Sequence, residues 1–324
     1  MKRWRENYTV STFLAAVTKP VWRISRTVST QIQSKVVKNG VTVRLTNGKE
    51  MVIGRDAGVA LASLLFWKGL DGYEPETSRA LRFFFVYSSC FIDVGANCGL
   101  YSIIGALWNP TIRVVAFEPL PPIFQCLRTN VALNKVQDRV VCENLALAGQ
   151  SGTGVFHVPP SEGRDFATTG TLASDSWQVR QRANRVQVTT VRFDEYENQH
   201  PMRVDLIKID VEDFEADVLE GMRATIMRDR PFIVCEILPR NQEHRNERTR
   251  RLIEALDYTA YWITDAGYFR VSRFDFERTD FKDFVLSPVS TEQEVLTDLS
   301  VLLEAKLRKL GQSRGTTEGS PVFP

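Results

Sequence analysis

Between residues 41 and 290 the apolar positions of this chain switch period repeatedly, from every second residue to every third or fourth. Val41–Leu45 and Glu50–Ile53 alternate on either side of Asn47-Gly48, which predicts a β-hairpin. Ala60–Phe66 and Thr77–Phe85 then read as helices. From Phe91 onward, short apolar runs take turns with helical stretches. Phe91–Asp93, Val114–Phe117, Val140–Asn144, Leu206–Asp210 and Phe232–Glu236 are the predicted parallel strands. Leu100–Leu107, Pro122–Asn134 and Phe214–Arg228 are the helices predicted between them. Parallel neighbours need a crossover long enough to hold a helix, so this alternation predicts an α/β fold with a doubly wound, mostly parallel sheet.

Other segments stand outside that alternation. Gly149–Gly154 reads as a turn, Val155–Val158 as a further strand, and Val186–Val191 as an edge or connecting strand. Ser161–Asp175 is polar and rich in Gly, Ser and Thr, as a loop or lid would be. Tyr261–Ile263 and Asp283–Leu286 read as late strands. Thr291–Leu310 has helical spacing, and a polar tail follows Gly311. In residues 1–40, Val10, Phe13, Leu14, Val17, Val21, Ile24 and Val28 recur at helical spacing, interrupted by Pro20.

The run Cys90–Ser102 carries the strongest chemical signal. An apolar strand ends in Asp93, then Gly95, Ala96, Asn97 and Gly99 form a small turn, and a helix begins. Glycine lets a ligand approach the backbone closely, since it has no Cβ. The spacing is D-x-G-x-x-x-G, not the G-x-G-x-x-G that places a pyrophosphate at a helix N-terminus. An acid at this place repels phosphate and favours a cationic ligand, such as the amino group of a methionine moiety. Glu118 ends the next predicted strand, where a carboxylate can accept hydrogen bonds from both hydroxyls of a ribose. Acid, glycine turn and second acid together fit S-adenosylmethionine better than NAD.

A second constellation is Asp205–Glu215, DLIKIDVEDFE. On a strand, Ile207 and Ile209 point one way and Lys208 and Asp210 the other. Open α/β sheets bind ligands at the carboxyl ends of their strands. Lys208, Asp210 and Glu212 are therefore the candidate catalytic residues. A carboxylate there can accept a proton from an attacking hydroxyl, and Lys208 can orient it or stabilise an alkoxide. The same acids could instead hold a divalent cation that activates the hydroxyl. Glu236, ending the next strand, is expected nearby.

Composition narrows the classes. Lys and Arg number 41 against 39 Asp and Glu, so the whole chain gives no strong nucleic-acid signal. Charge is uneven only at the start, where Lys2, Arg3, Arg5, Lys19, Arg23, Arg26, Lys35 and Lys38 face Glu6 alone. A basic, amphipathic extension of this kind allows peripheral contact with an anionic membrane. No apolar run approaches the roughly 20 residues that span a bilayer. The 5 cysteines are scattered and odd in number, with no metal-site spacing to the 3 histidines. A reducing, cytoplasmic setting is the expectation.

Taken together, Tyr73-Glu74-Pro75-Glu76, FIDVGANCGLYS (Phe91–Ser102), VVAFEPLPPIFQCLRTNVALN (Val114–Asn134), NLAL (Asn144–Leu147), DLIKIDVEDFEADVLEG (Asp205–Gly221) and Cys235-Glu236 resemble the FkbM family of S-adenosylmethionine-dependent methyltransferases. The resemblance runs over residues 70–290. It implies a Rossmann-like fold of the class I methyltransferase type, here residues 41–290 with their hairpin, flanked by residues 1–40 and a C-terminal helix and tail, 291–324. It also implies O-methylation of a small hydroxylated substrate, a sugar, glycan or natural product. By position, Asp93, Gly95, Ala96, Asn97 and Gly99 would hold the methionine part and adjoining ribose, and Glu118 the ribose hydroxyls. Asn144 and Ala146 would border the adenine, and Lys208, Asp210 and Glu212 would face the acceptor. Two departures stand out. Asp213 occupies a position where the family has glycine, and Cys98 replaces an aliphatic residue. An RNA ribose methyltransferase, or a non-catalytic module of the same fold that docks to membrane or protein, is the alternative.

Overall fold

A computed structural model describes residues 40–54, 59–159, 170–173, 183–238, 243–264, 267–271 and 282–289. The expected amphipathic extension, the helix at 291–310, the tail and most of Ser161–Asp175 lie outside the described residues.

The elements follow in the order β1 (Val41–Arg44), β2 (Glu50–Ile53), α1 (Val59–Lys68), α2 (Pro75–Phe85), β3 (Cys90–Val94), α3 (Leu100–Trp108), β4 (Arg113–Phe117), α4 (Pro121–Leu133), β5 (Val140–Glu143) and β6 (Ala146–Leu147). The chain continues through β7 (Gly152–Val158), β8 (Asn184–Val191), α5 (Phe193–Gln199), β9 (Leu206–Ile209), α6 (Glu215–Gly221), α7 (Arg223–Asp229) and β10 (Phe232–Glu236). It closes with α8 (Glu243–Ala255), β11 (Tyr258–Thr264), β12 (Gly267–Val271) and β13 (Asp283–Pro288).

Eight strands form the central sheet, in the order β12-β11-β13-β10-β9-β3-β4-β5. The five from β10 to β5 are parallel, and β13 enters antiparallel beside β10. Both faces are covered. Phe91 and Leu206 pack into one apolar cluster with the hairpin and α2 to α4, while Ile92 and Ile207 pack into the other with α5 to α8. Burial on both faces explains why β3 and β9 carry apolar residues that point both ways, with Asp93 and Lys208 as the buried charged exceptions.

The chain leaves β3 toward β4 and β5, then returns to place β9 on the other side of β3. That reversal opens a crevice at the carboxyl ends of β3 and β9, the place where such sheets bind ligands. The hairpin is pinned beneath by α4 and the residue that follows it. The Asn134 side chain accepts from the Val52 N–H at 2.8 Å and donates to the Val52 carbonyl at 2.6 Å, and Asn130 Oδ1 accepts from the Gly54 N–H at 2.7 Å.

Several local expectations are corrected. The single helix expected over Phe214–Arg228 is two helices, broken at Met222. There Gly221 passes so close to the preceding loop that a Cβ on it would lie 2.1 Å from the Ala148 carbonyl oxygen. The expected turn Gly149–Gly154 is shorter, because β7 already begins at Gly152. The strands β6, β8 and β7 form a separate three-stranded sheet, in which β8, expected as an edge or connecting strand, is the central one. The expected β5 stops at Glu143, since Asn144 turns its side chain back to the β4 loop.

Candidate functional site

The glycine turn is fastened from both sides. The N–H groups of Gly95 and Ala96 donate to the Phe117 carbonyl at 3.1 and 2.9 Å, and the Asp210 N–H donates to the Val94 carbonyl at 3.1 Å. Gly95 has φ 77°, a left-handed conformation that costs L-residues energy. Its backbone is bare because a Cβ would strike the Asp210 carbonyl oxygen at 2.0 Å.

Glu118, just past β4, is buried and bridges two backbone donors. The Asn97 N–H reaches Oε2 at 3.1 Å and the Leu120 N–H reaches Oε1 at 2.9 Å. Burial pushes its pKa up to about 7, against the pull of those two N–H groups. Asn97 itself has φ 52° and caps the Cys98 N–H with its side chain at 2.7 Å.

A cavity of about 200 Å³ fills the crevice. Strand order fixes the sequence of groups along it. Beyond β4 and β5 lie Glu118, Leu120, Ile123 and the shelf Leu145–Leu147. Beyond β9 and β10 lie Asp210, Val211, Glu212 and Glu236, with Tyr73 and Glu74 approaching from the segment before α2. Phe156, Gly170, Leu172 and Phe214 complete the wall. Gly170 and Leu172 belong to 170–173, the described part of the polar stretch expected to be a loop.

The charges around β9 form one network. Lys208 Nζ bonds Asp210 Oδ2 at 2.8 Å and lies 5.1 Å above the Tyr101 ring. On β3, Asp93 is the register partner of Lys208. Burial opposes the Lys208 charge, but Asp210, Asp93 and Glu74 outweigh it and raise its pKa. Burial also opposes the Asp210 charge, yet Lys208 and a hydrogen bond from Glu236 hold that carboxyl below its ordinary range. Glu236 is pushed up to about 10 by burial and then by Asp210, so it keeps its proton at neutral pH. Lys282 Nζ bonds its Oε1 at 2.8 Å.

Glu74 was given no role by its sequence position, and neither was Tyr73. Glu74 sits at φ 40°, ψ 61°, immediately before Pro75 at the first turn of α2. A left-handed residue before proline is strained, by roughly 1–3 kcal/mol for such outliers. Its carboxylate accepts the Tyr101 hydroxyl at 2.9 Å, and burial first, then Asp210, raises its pKa. The signals the sequence offered were its place ahead of a proline and within the Tyr73–Glu76 segment that shares the FkbM resemblance.

The expected site residues separate into two tiers. Gly95, Glu118, Ala146, Asp210 and Glu212 line the cavity. Asp93, Ala96, Asn97, Gly99 and Lys208 stand behind it. Asp93 accepts the Ser102 hydroxyl at 2.5 Å on one oxygen, while its Oδ1 is buried without a partner. Asn144 turns away and spends its side-chain N–H groups on the carbonyls of Glu118 and Pro119, both at 2.9 Å. Glu212 and Asp213 both hold positive φ, 53° and 77°. Asp213 thus takes a left-handed backbone shape that glycine adopts readily, and its N–H donates to Glu215 Oε1 at 3.0 Å. For the divalent cation expected as one option, the described residues contain no group of three or more His, Cys, Asp or Glu side chains suited to hold a metal.

The methyltransferase FkbM domain model matches residues 93–269, more than half of the chain. The chain belongs to the FkbM methyltransferase family. Methyltransferase sdnD of Sordaria araneosa is 29% identical to this FkbM-family chain over 153 residues, 40% of the chain and 59% of sdnD. The 31-O-demethyl-FK506 methyltransferase FkbM of Streptomyces tacrolimicus is 28% identical over 152 residues, 40% of the chain and 58% of that protein. The chain therefore spans less than two thirds of the length of these curated relatives. The solved methyltransferase FkbM of Methylobacillus flagellatus aligns over 81% of the chain and 58% of its own length, with 14% identity and a TM-score of 0.40. The FkbM match begins at Asp93, so Tyr73 and Glu74 come from the segment ahead of it.

Proposed function

We propose that this chain is an S-adenosylmethionine-dependent O-methyltransferase acting on a hydroxyl of a small substrate, a sugar, glycan or natural product. The observation that carries this reading is one cavity with Glu118 at the β4 end and Asp210 at the β9 end. Family membership supports methyl transfer.

The residues fit the cofactor. Each Glu118 oxygen spends one acceptor position on a backbone N–H and keeps another, which suits the two hydroxyls of a ribose. Leu120, Ile123 and Leu145–Leu147 give an apolar slot of the kind an adenine ring needs. Bare backbone at Gly95 permits close approach. When bound, S-adenosylmethionine supplies an electrophilic methyl group on a cationic sulfur.

The chain's own groups do the rest. Asp210, kept ionised by Lys208, accepts a hydrogen bond from the acceptor hydroxyl and orients it. Lys208 is buried and cannot swing away without leaving Asp210 unpaired. Glu212 faces the same space, and Phe156, Leu172 and Phe214 exclude water from it.

The test is a titration of the purified full chain with S-adenosylmethionine, followed by incubation with a panel of sugars and hydroxylated lactones and detection of S-adenosylhomocysteine. Saturable binding with acceptor-dependent product supports the reading. A folded chain that binds the cofactor but methylates nothing in the panel, and whose binding to anionic vesicles depends on residues 1–40, would favour the docking module instead.

A further inference from the structure

Five carboxyl side chains line the cavity, Glu74, Glu118, Asp210, Glu212 and Glu236, and among the described residues no Lys, Arg or His lines it. The two ammonium groups at its back are already engaged. Lys208 holds Asp210 at 2.8 Å with its side chain 5% exposed, and Lys282 holds Glu236 at 2.8 Å. Behind them, Asp93 carries a buried oxygen with no partner. The wall is therefore short of positive charge. A buried carboxylate without a counter-charge is expensive. Such a wall either keeps protons or receives a cation from outside, and burial does raise the pKa of Glu74, Asp93 and Asp283 here.

Glu74 is the member best placed to meet that cation. It reaches the cavity from a strained backbone, fixed by the Tyr101 hydroxyl at 2.9 Å, and makes none of the ion pairs that occupy Asp210 and Glu236. We propose that Glu74, backed by Asp210, is the counter-charge for the sulfonium of the methyl donor, and that the cavity selects this cationic donor over its neutral demethylated product. The inference rests on the S-adenosylmethionine reading given above. Donor and product share adenine, ribose and the methionine ends. They differ by one methyl group and the positive charge on sulfur, so a carboxylate wall can tell them apart by charge alone. The site would bind the donor and let go of the product.

The test needs no acceptor. The full chain is titrated by calorimetry, at one pH and ionic strength, with S-adenosylmethionine, with S-adenosylhomocysteine and with sinefungin, which carries an amine cation in place of the sulfonium. The two cations are expected to bind roughly ten-fold more tightly than the neutral product, the effect of about one screened charge pair. Glu74→Gln keeps an oxygen for the Tyr101 hydroxyl and should shrink that preference to about three-fold or less. Glu118→Gln should weaken all three ligands by a similar factor, because it faces what they share. Glu74→Asp serves as a second variant, keeping the charge and most of the preference, and thermal melts establish that each variant is folded. Equal affinity of the native chain for donor and product overturns the inference, as does an unchanged preference in Glu74→Gln. Binding of none of the three by folded protein overturns the cofactor reading, and the inference with it.

Discussion

The Cβ that Gly95 lacks would stand 2.0 Å from the carbonyl oxygen of Asp210. The turn after β3 and the turn after β9 are thus in direct backbone contact, joined further by the Asp210 N–H to Val94 carbonyl bond at 3.1 Å. The residue that bares the backbone for a ligand is also the one that lets Asp210 come near.

Gly95→Ala is accordingly expected to fail twice. A left-handed alanine costs about 1–2 kcal/mol, and displacing a backbone carbonyl adds about 1–3 kcal/mol of overpacking. Denaturant unfolding should show a loss on the order of 2–5 kcal/mol. Cofactor binding, read by calorimetry, should drop below detection even where the variant remains folded.

The Lys208–Asp210 pair is expected to behave as a unit. Lys208→Met leaves Asp210 beside Asp93 and Glu236 with its nearest cation gone, and should cost about 3 kcal/mol, as removing one partner of a buried pair does. In an Asp210→Asn background the same change should cost less, with a coupling of at least about 1 kcal/mol in a double-mutant cycle. Strict additivity would mean that Lys208 is held by its other neighbours alone. Asp210→Asn should also lose turnover while binding S-adenosylhomocysteine, the neutral product, as the native chain does.

Stability should fall as pH rises. Burial raises Glu118 from 4.5 to about 7 and Glu215 from 4.5 to about 8, so the folded chain keeps protons that the unfolded chain releases. Their contribution is fully present below about pH 4.5 and is lost as pH climbs through about 7 and 8, with Glu236 extending the decline toward 10. Thermal unfolding of the ligand-free chain should therefore occur at a lower temperature at about pH 9 than at about pH 6. Glu215→Gln should flatten the part of that decline below pH 8.

Asn134→Ala should loosen the hairpin selectively. It removes the donor and acceptor that bind the Val52 backbone at 2.6 and 2.8 Å and leaves those groups to find water. A cost on the order of 1–3 kcal/mol is expected. Amide exchange at Val52 and Gly54 should accelerate more than exchange at Ile92 or Ile207 in the central strands.

Much of the fold was legible because its causes are local. Strands β3 and β9 announce themselves as apolar runs ending in acids, and the glycine turn follows from a left-handed position that Gly95 tolerates. What was missed has causes remote in sequence. Beside the break between α6 and α7, Gly221 passes under the Ala148 carbonyl, a contact that no periodicity within 214–228 reveals. A period of two marks β7 and β8 as strands but does not choose their partners, so the separate sheet was invisible. Glu74 became a site residue only when Tyr101, 27 positions later, was folded against it. Asn144, expected to border the adenine, commits its side-chain donors to the carbonyls of residues 118 and 119, a pairing that its place after β5 does not announce.

The small sheet has one more consequence. Backbone bonds between His157 and Thr171, at 2.7 and 3.0 Å, hang Gly170 and Leu172 from β7, and none of its three strands shares a ladder with the eight-stranded sheet. The wall meets the turn after β9 through the Thr171 hydroxyl, which donates to the Val211 carbonyl at 3.4 Å, but it shares no ladder with the central sheet. The side chains of Phe156 and Leu172 can therefore be exchanged without breaking a ladder of the eight-stranded sheet, which separates the shape of this side of the chamber from the framework behind it.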